Sequence, residues 1–568
     1  MTMNVPRASM RPTTFAAAAA AALAACSLEE TGANFISPNV FYQNDAQAAS
    51  AVNGVYAPLM DWNGWKQPAQ HSIMCDDDEM LCWNWMGGGF SGQSAGQWYM
   101  QDNAVWFGDY RIIERANDVI ENVARSGGIS EGMKKTATGQ ALFARGYAYF
   151  DLVRRYGGVP LRTEAYVPDA QMGAKARSSV AEVYQQVAKD LREAAGLLPA
   201  SYATPNGQGL PRAAAAWGLL AKVYLHIAGD EGTGTPLAAN KAAYLDSATL
   251  AAQAVMVSGT ASLEASYMDL FDINKQNTSP EVLFAVQGAT VNLQGSQIPG
   301  FFGPRGDCSV VGGCGQGFVS VREDFYNTFA TSDKRVEPNK AIAHSWEVTI
   351  SPFGKLRALH TDSLATLAAK GLVARNIAFK FGNWSEGCGS FDQQYDSITI
   401  KDAVDPTQTS TAIYAVGRPV YSLKYIDPQH LGSDQAPANN FIILRYADVL
   451  LLFAEAENER NVGPTTAAYD AINQVRARAG LAALSGLTKD EFRQAVWTER
   501  AHELYGEFQA RFDLIREGRW LSVMNQPSTI PAYAGQGICR PRQAYQKLQP
   551  IPQRELAANP LLQQNPGY

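Results

Sequence analysis

Three helix-period patterns follow one another between residues 442 and 520, separated by short breaks at Gly463-Pro464 and after Gly480. Few other features constrain the fold of this chain as strongly. The apolar residues from Ile442 to Ala456 form a face that has to be buried. Helices joined by short connectors point to an array of antiparallel α-hairpins. Charged residues interrupt the apolar face. Arg445, Arg476, Arg500 and Arg511 are placed to act as structural partners of Glu455, Glu499 and Glu503, locking helix to helix. If buried, such a pair is broken only at a cost of about 3–5 kcal/mol.

The first half of the chain repeats this theme. Residues 45–59, 110–123, 134–156, 178–198, 212–227 and 241–257 each carry a helical apolar pattern, at spacings near those of tetratricopeptide hairpins. Gly157-Gly158-Val159-Pro160 is a stop signal after the third of them. From 263 to 440 the character changes to short alternating stretches, such as 281–286 and 420–426, among many Gly, Ser and Asn residues. That pattern predicts long loops with a few short strands, packed as a second lobe on the helices.

The chain opens like an export signal. Arg7 and Arg11 precede an alanine-dominated run that ends Leu23-Ala24-Ala25-Cys26, the pattern of a lipoprotein cleavage site. The run is too short to span a bilayer. Residues 1–25 are therefore expected to be removed and Cys26 to be lipidated. The remaining six cysteines, Cys75, Cys82, Cys308, Cys314, Cys388 and Cys539, are an even set that favours disulfides in an exported protein. Cys75 with Cys82 and Cys308 with Cys314 are near enough to staple local loops, which would leave Cys388 with Cys539. The formal charge of −7, from 47 basic and 54 acidic residues without basic blocks, argues against nucleic acid as a partner.

Several ordered segments together resemble the SusD/RagB family of outer-membrane nutrient-binding lipoproteins. They are Tyr110-Arg111-Ile112-Ile113 with Asn117 to Ile120, the run from Ala141 to Phe150 leading into Tyr156-Gly157-Gly158-Val159-Pro160-Leu161, and the 442–520 block. The closing segment from Leu548 through Asn559-Pro560 to Gln564-Asn565-Pro566-Gly567-Tyr568 completes the set. The resemblance implies a mostly helical fold with degenerate tetratricopeptide-like units and a loop-rich second lobe containing short strands. Its divisions are a signal peptide over 1–25, an N-terminal helical region over 26–262, a variable lobe over 263–440 and a C-terminal helical region and tail over 441–568. It also implies a lipid-anchored outer-membrane protein, probing the outside as a lid on a TonB-dependent transporter. The cargo would be an oligosaccharide, or a peptide as in some relatives, and no cofactor is implied.

A sugar binder needs flat aromatic faces and a few planar polar groups that fix orientation. The loop between Trp62 and Tyr99 is rich in both, and Trp83, Asn84, Trp85 and Trp98 are its candidate ligand contacts. A second candidate rim is Phe301, Phe302 and Arg305; the two rings would serve either as an exposed platform or as the lobe's own small core. Trp106 sits at helical spacing with Tyr110 and reads as core. The tetrad Asp76-Asp77-Asp78-Glu79 reads as a solvated face, without the spacing of a helix–loop–helix calcium site.

Catalytic patterns fit poorly. Gly92-Gln93-Ser94-Ala95-Gly96 has nucleophile-elbow spacing but no apolar strand before it. His502-Glu503 begins a zinc-protease motif whose second histidine is replaced by Gly506. Glu455 with Glu459 and Glu499 with Glu503 could be paired acids, but they lie among arginines, where structural pairing is the default. The chain reads as a non-enzyme.

Overall fold

Hydroxyl residues set where many of the helices begin. The Ser130 side chain accepts from Met133 N at the start of the helix Glu131–Tyr156, and Ser179 with Glu182 forms a reciprocal capping box on the helix Val180–Leu197. Thr465 caps the helix Thr466–Arg478, and Thr488 with Glu491 forms a second capping box on the helix Lys489–Leu504. Each satisfies backbone donors that a helix start otherwise leaves open. The structure is a computed structural model. It describes residues 41–60, 76–82, 102–165, 174–202, 209–232, 234–289, 295–296, 298–302, 319–337, 340–344, 420–427, 437–526 and 542–568, with strand segments between 347 and 416.

The helices run α1 (Asp45–Tyr56), α2 (Asp102–Arg125), α3 (Glu131–Tyr156), α4 (Val180–Leu197), α5 (Ala213–Ala228) and α6 (Lys241–Val257). Each from α2 onward packs on its successor. The array continues through α7 (Tyr446–Arg460), which lies against α5 and α6 and carries α8 (Thr466–Arg478) and α9 (Lys489–Leu504) on its other side. Short helices α10 (Ala510–Arg516) and α11 (Trp520–Met524) follow. The molecule is mostly helical, as the spacing predicts. No described helix is long and apolar enough to cross a membrane.

Two local expectations need correction. Phe441–Arg445 does not continue the helical block. It is strand β13, paired antiparallel with β2 (Val282–Val286). A continuous apolar run fits a buried strand as well as a buried helix, and here the β-branched pair Ile442-Ile443 lies in a fully buried strand. The variable lobe also holds more sheet than its glycine and serine content suggests. Strands β5 (Glu347–Ile350), β6 (Leu356–Arg357), β7 (Val373–Lys380), β10 (Gln394–Lys401) and β11 (Thr409–Val416) form one sheet, order β6-β5-β11-β10-β7, entirely antiparallel.

The turn after α3 explains its two glycines. Gly157 has φ 75°, a left-handed backbone that favours glycine. At Gly158 a Cβ would stand 2.2 Å from the Ser178 carbonyl oxygen, because the chain returns there to donate Ser178 N to Val159 O at 3.0 Å. The closing segment is stitched onto this turn. Gln549 N donates to Arg155 O at 2.6 Å, and the Asn565 amide donates to Tyr156 O at 3.1 Å and to Gln549 O at 2.7 Å. Arg177 completes the seam, donating to Gly158 O, Tyr156 O and Asn565 Oδ1.

Candidate functional site

One strand pair lies next in sequence to both candidate stretches. Strand β1 (Met80–Cys82) pairs antiparallel with β3 (Val319–Val321), and Cys82 stands opposite Val319. Residues 82 and 319, the described ends nearest those stretches, therefore lie side by side. The four-stranded sheet continues through β12 (Val420–Ser422) to β4 (Ile342–His344). Trp83, Asn84, Trp85, Trp98 and Arg305 lie outside the described residues, as do Cys26, Cys75, Cys308, Cys314, Cys388 and Cys539. Of Cys82 only the backbone is described.

Phe301 and Phe302 form the floor beneath this strand pair, not an exposed platform. They are 6% and 1% exposed. The Phe302 ring lies 5.3 Å from Tyr425 and 5.9 Å from Phe508, both edge-on. Gly506, with φ 70°, lets the backbone pass under it: a Cβ there would stand 3.2 Å from the Phe302 ring. Neither an exposed platform nor a separate small core of the lobe is found: both rings join the main core shared with the helices. Trp106 is buried as expected, against Tyr110 and Tyr156.

The acidic tetrad before β1 also turns inward, against expectation. Asp76 is fully buried between Arg511 and Arg542, whose Nε atoms donate to its two oxygens at 2.6 and 2.9 Å. Its carbonyl accepts from Trp520 Nε1. Asp77 Oδ1 accepts from Glu79 N and Met80 N, both at 3.0 Å, and so shapes the turn into the strand. Burial pushes the Asp77 carboxyl up to about 7 and Glu79 well above its ordinary value, with the neighbouring acids adding to both. Among the described residues no group of three or more His, Cys, Asp or Glu side chains is arranged to hold a metal ion.

Behind this floor lies a buried ionic network. Arg335 pairs with Asp333, Glu499 and Glu503. Arg445 pairs with Glu281, Glu503 and Glu507. Arg478 pairs with Glu281 and Glu503, Arg476 with Glu499, and Lys424 with Glu507. Cations and carboxylates therefore balance five to five within this set. Burial acts to raise the Glu503 carboxyl, yet Arg478, Arg445 and Arg335 hold it well below the usual carboxylate range. Burial pulls the Lys424 ammonium down to about 8, against Glu507. The expected pairs Arg445–Glu503 and Arg476–Glu499 are present. Arg500 instead pairs with Asp448 and Asp513, Arg511 with Asp76, and Glu455 with Arg516. The sequence reading missed Arg335 and Glu281, which lie outside the helical block.

Together these features define a class: a tetratricopeptide-like helical scaffold, rigidified by buried ion pairs, that carries variable segments from one strand pair. Known proteins share the sequence pattern and the fold. Residues 372–568 match the model described as SusD family, and residues 38–225 match the one described as starch-binding associating with outer membrane, more than half of the chain between them. SusD-like protein P2 of Formosa agariphila is 26% identical over 567 residues, covering 96% of this chain and 97% of its own. SusD-like protein P25 of the same organism is 25% identical over 559 residues, covering 95% and 96%. Among solved structures, a SusD homolog from Bacteroides thetaiotaomicron superposes with a TM-score of 0.69 at 22% identity, over 94% of this chain and 98% of its own. A laminarin-binding SusD-like protein superposes with a TM-score of 0.64 at 21% identity, over 93% and 100%. Surface glycan-binding protein A from Bacteroides thetaiotaomicron, solved in complex with laminarihexaose, gives 0.64 at 19% identity, over 92% and 99%. This chain belongs to the SusD/RagB family.

Proposed function

We propose that this chain is a non-catalytic, lipid-anchored subunit that captures oligosaccharide at the cell surface and passes it to a partner TonB-dependent outer-membrane transporter. The observation that carries the reading is family membership over most of the chain, with a fold shared end to end with proteins described as laminarin- and glycan-binding. Trp83, Asn84, Trp85, Trp98 and Arg305 are the proposed contacts. What supports them is that the described strands nearest in sequence, β1 and β3, pair at Cys82 and Val319 over a packed aromatic floor. The lipid on Cys26 supplies the anchor, since each buried methylene contributes about 0.8 kcal/mol.

The non-catalytic part of the reading is supported by the fate of the acids that could have formed a glycosidase pair. Glu455, Glu459, Glu499 and Glu503 are each ion-paired with arginine. The test is affinity electrophoresis against a polysaccharide panel. Wild type should be retained by at least one polysaccharide, without releasing product. Replacing Trp83, Trp85 and Trp98 together by Ala should weaken that retention, and unchanged retention would remove them from the site.

A further inference from the structure

Helix α2 presents two faces with different fates. Ile112, Ile113, Ala116 and Val119 enter the core. Phe107, Tyr110, Arg111 and Glu114 fall at positions i, i+3, i+4 and i+7, which is a second stripe on the same helix. This stripe faces the solvent across a cleft: Phe107 and Glu114 are exposed, and Tyr110 and Arg111 half-buried. Phe107 keeps 49% of its surface exposed, with the Arg111 guanidinium 5.4 Å from its ring centroid. A large half-exposed ring on a helix surface is informative when it lines a cleft, and this one does.

The cleft has a volume of about 550 Å³, within the usual range of ligand pockets. Its floor is aromatic, from Trp106, Phe107 and Tyr110. Its rim carries Arg111, Arg162 and Lys175 together with Glu114, Glu164 and Glu555, so the charges cancel. The walls are fixed in place. The buried Asn117 amide donates to Arg162 O at 3.1 Å and Glu164 O at 2.9 Å, and Tyr110 Oη donates to Pro160 O at 2.7 Å. On the opposite side Asn559 donates to Lys175 O at 2.8 Å. A preformed cleft loses less freedom when it binds.

We propose that this cleft between α2 and the closing segment is a second saccharide site, selective for a neutral, polyhydroxylated chain; it rests on the oligosaccharide reading above. An aromatic floor takes the C–H face of a sugar ring, and guanidinium and carboxylate groups on the rim bridge neighbouring hydroxyls. The balanced rim gives no net field to draw an anionic or cationic ligand. Among the described residues that line the cleft none belongs to a strand, so no strand edge is offered for an extended peptide to join.

The experiment is isothermal titration of the full chain with laminarihexaose, maltohexaose, xylohexaose and mannohexaose. Wild type, Phe107→Ala, Glu114→Gln and the triple Trp83/Trp85/Trp98→Ala variant are compared, with melting temperatures as the folding control. For the hexasaccharide that binds, wild type should show two classes of site. Phe107→Ala and Glu114→Gln should each weaken only one class, by about tenfold, and the triple variant should keep that class. Unchanged stoichiometry and affinity in both cleft variants, with all binding lost in the triple variant, would overturn the cleft site and leave the function standing. No binding of any hexasaccharide by folded wild type would overturn both.

Discussion

Arg500 shows how a single residue is committed to structure. It is 1% exposed, and its guanidinium reaches Asp448 at 2.9 Å and Asp513 at 2.9 Å, tying α9 to α7 and α10. Removing it takes a cation from Asp448 and Asp513 and leaves them only Lys222 and Arg516. Arg500→Ala is expected to lower unfolding free energy by about 3–5 kcal/mol in urea melts, with oligosaccharide affinity unchanged in whatever fraction folds. Lost binding with intact stability would contradict this. His502 gives a pH-dependent counterpart. It is stacked on Phe329 at 3.9 Å and bonded to Thr328. Burial and then Arg335 pull its pKa from 6.5 down to about 4, with Arg476 adding and Asp333 opposing. Between those values the unfolded chain takes up a proton that the folded chain refuses, so this contribution to stability is lost as pH falls from 6.5 towards 4. His502→Gln should flatten the acid limb of a melting-temperature-against-pH curve in that window, and an unchanged limb would rule the histidine out as its source.

At the scale of elements, the turn after α3 and the body of α4 make a matched pair of glycine tests. Gly158→Ala drives a Cβ against the Ser178 carbonyl at 2.2 Å, where backbone has to move. It should destabilise by about 1–3 kcal/mol or more. Gly196, near the end of α4, has no atom within 4 Å of its would-be Cβ. Gly196→Ala should stabilise by about 0.5–1 kcal/mol. Thermal melts of the two variants should therefore shift in opposite directions. These elements were legible in the sequence because their causes are local: the Ser179–Glu182 cap, the Gly-Gly-Val-Pro stop and the helical spacing lie within a few residues of what they determine. The α7 boundary was not, because what makes Phe441–Arg445 a strand is β2, whose Val286 pairs with Phe441 from far upstream.

The whole molecule repeats this lesson at longer range. The acidic tetrad looked solvated because nothing near it in sequence is basic. The residues that bury Asp76 are Arg511 and Arg542, separated from it by 435 and 466 positions. Phe301 and Phe302 likewise need Tyr425 and Phe508 to become core. Family motifs carried the architecture across these distances, as the similarity over 96% of the chain shows. They said little about the variable segments, where the ligand contacts are proposed. The ion pairs of the helical block organise the interior.

The seam between residues 155–158 and 549–565 also sets an order of events in time. Asn565 reaches Tyr156 O across 409 positions of chain. A ribosome delivers the α3 turn long before it delivers its partner, so the carbonyls of Arg155 and Tyr156 wait through most of synthesis without those bonds. A domain whose closing contacts come late stays open while it is being made. A chain stopped at residue 548 should therefore remain open to trypsin between α3 and α4. Asn565→Ala should be cut there at an intermediate rate, and equal resistance of all three chains would break the link.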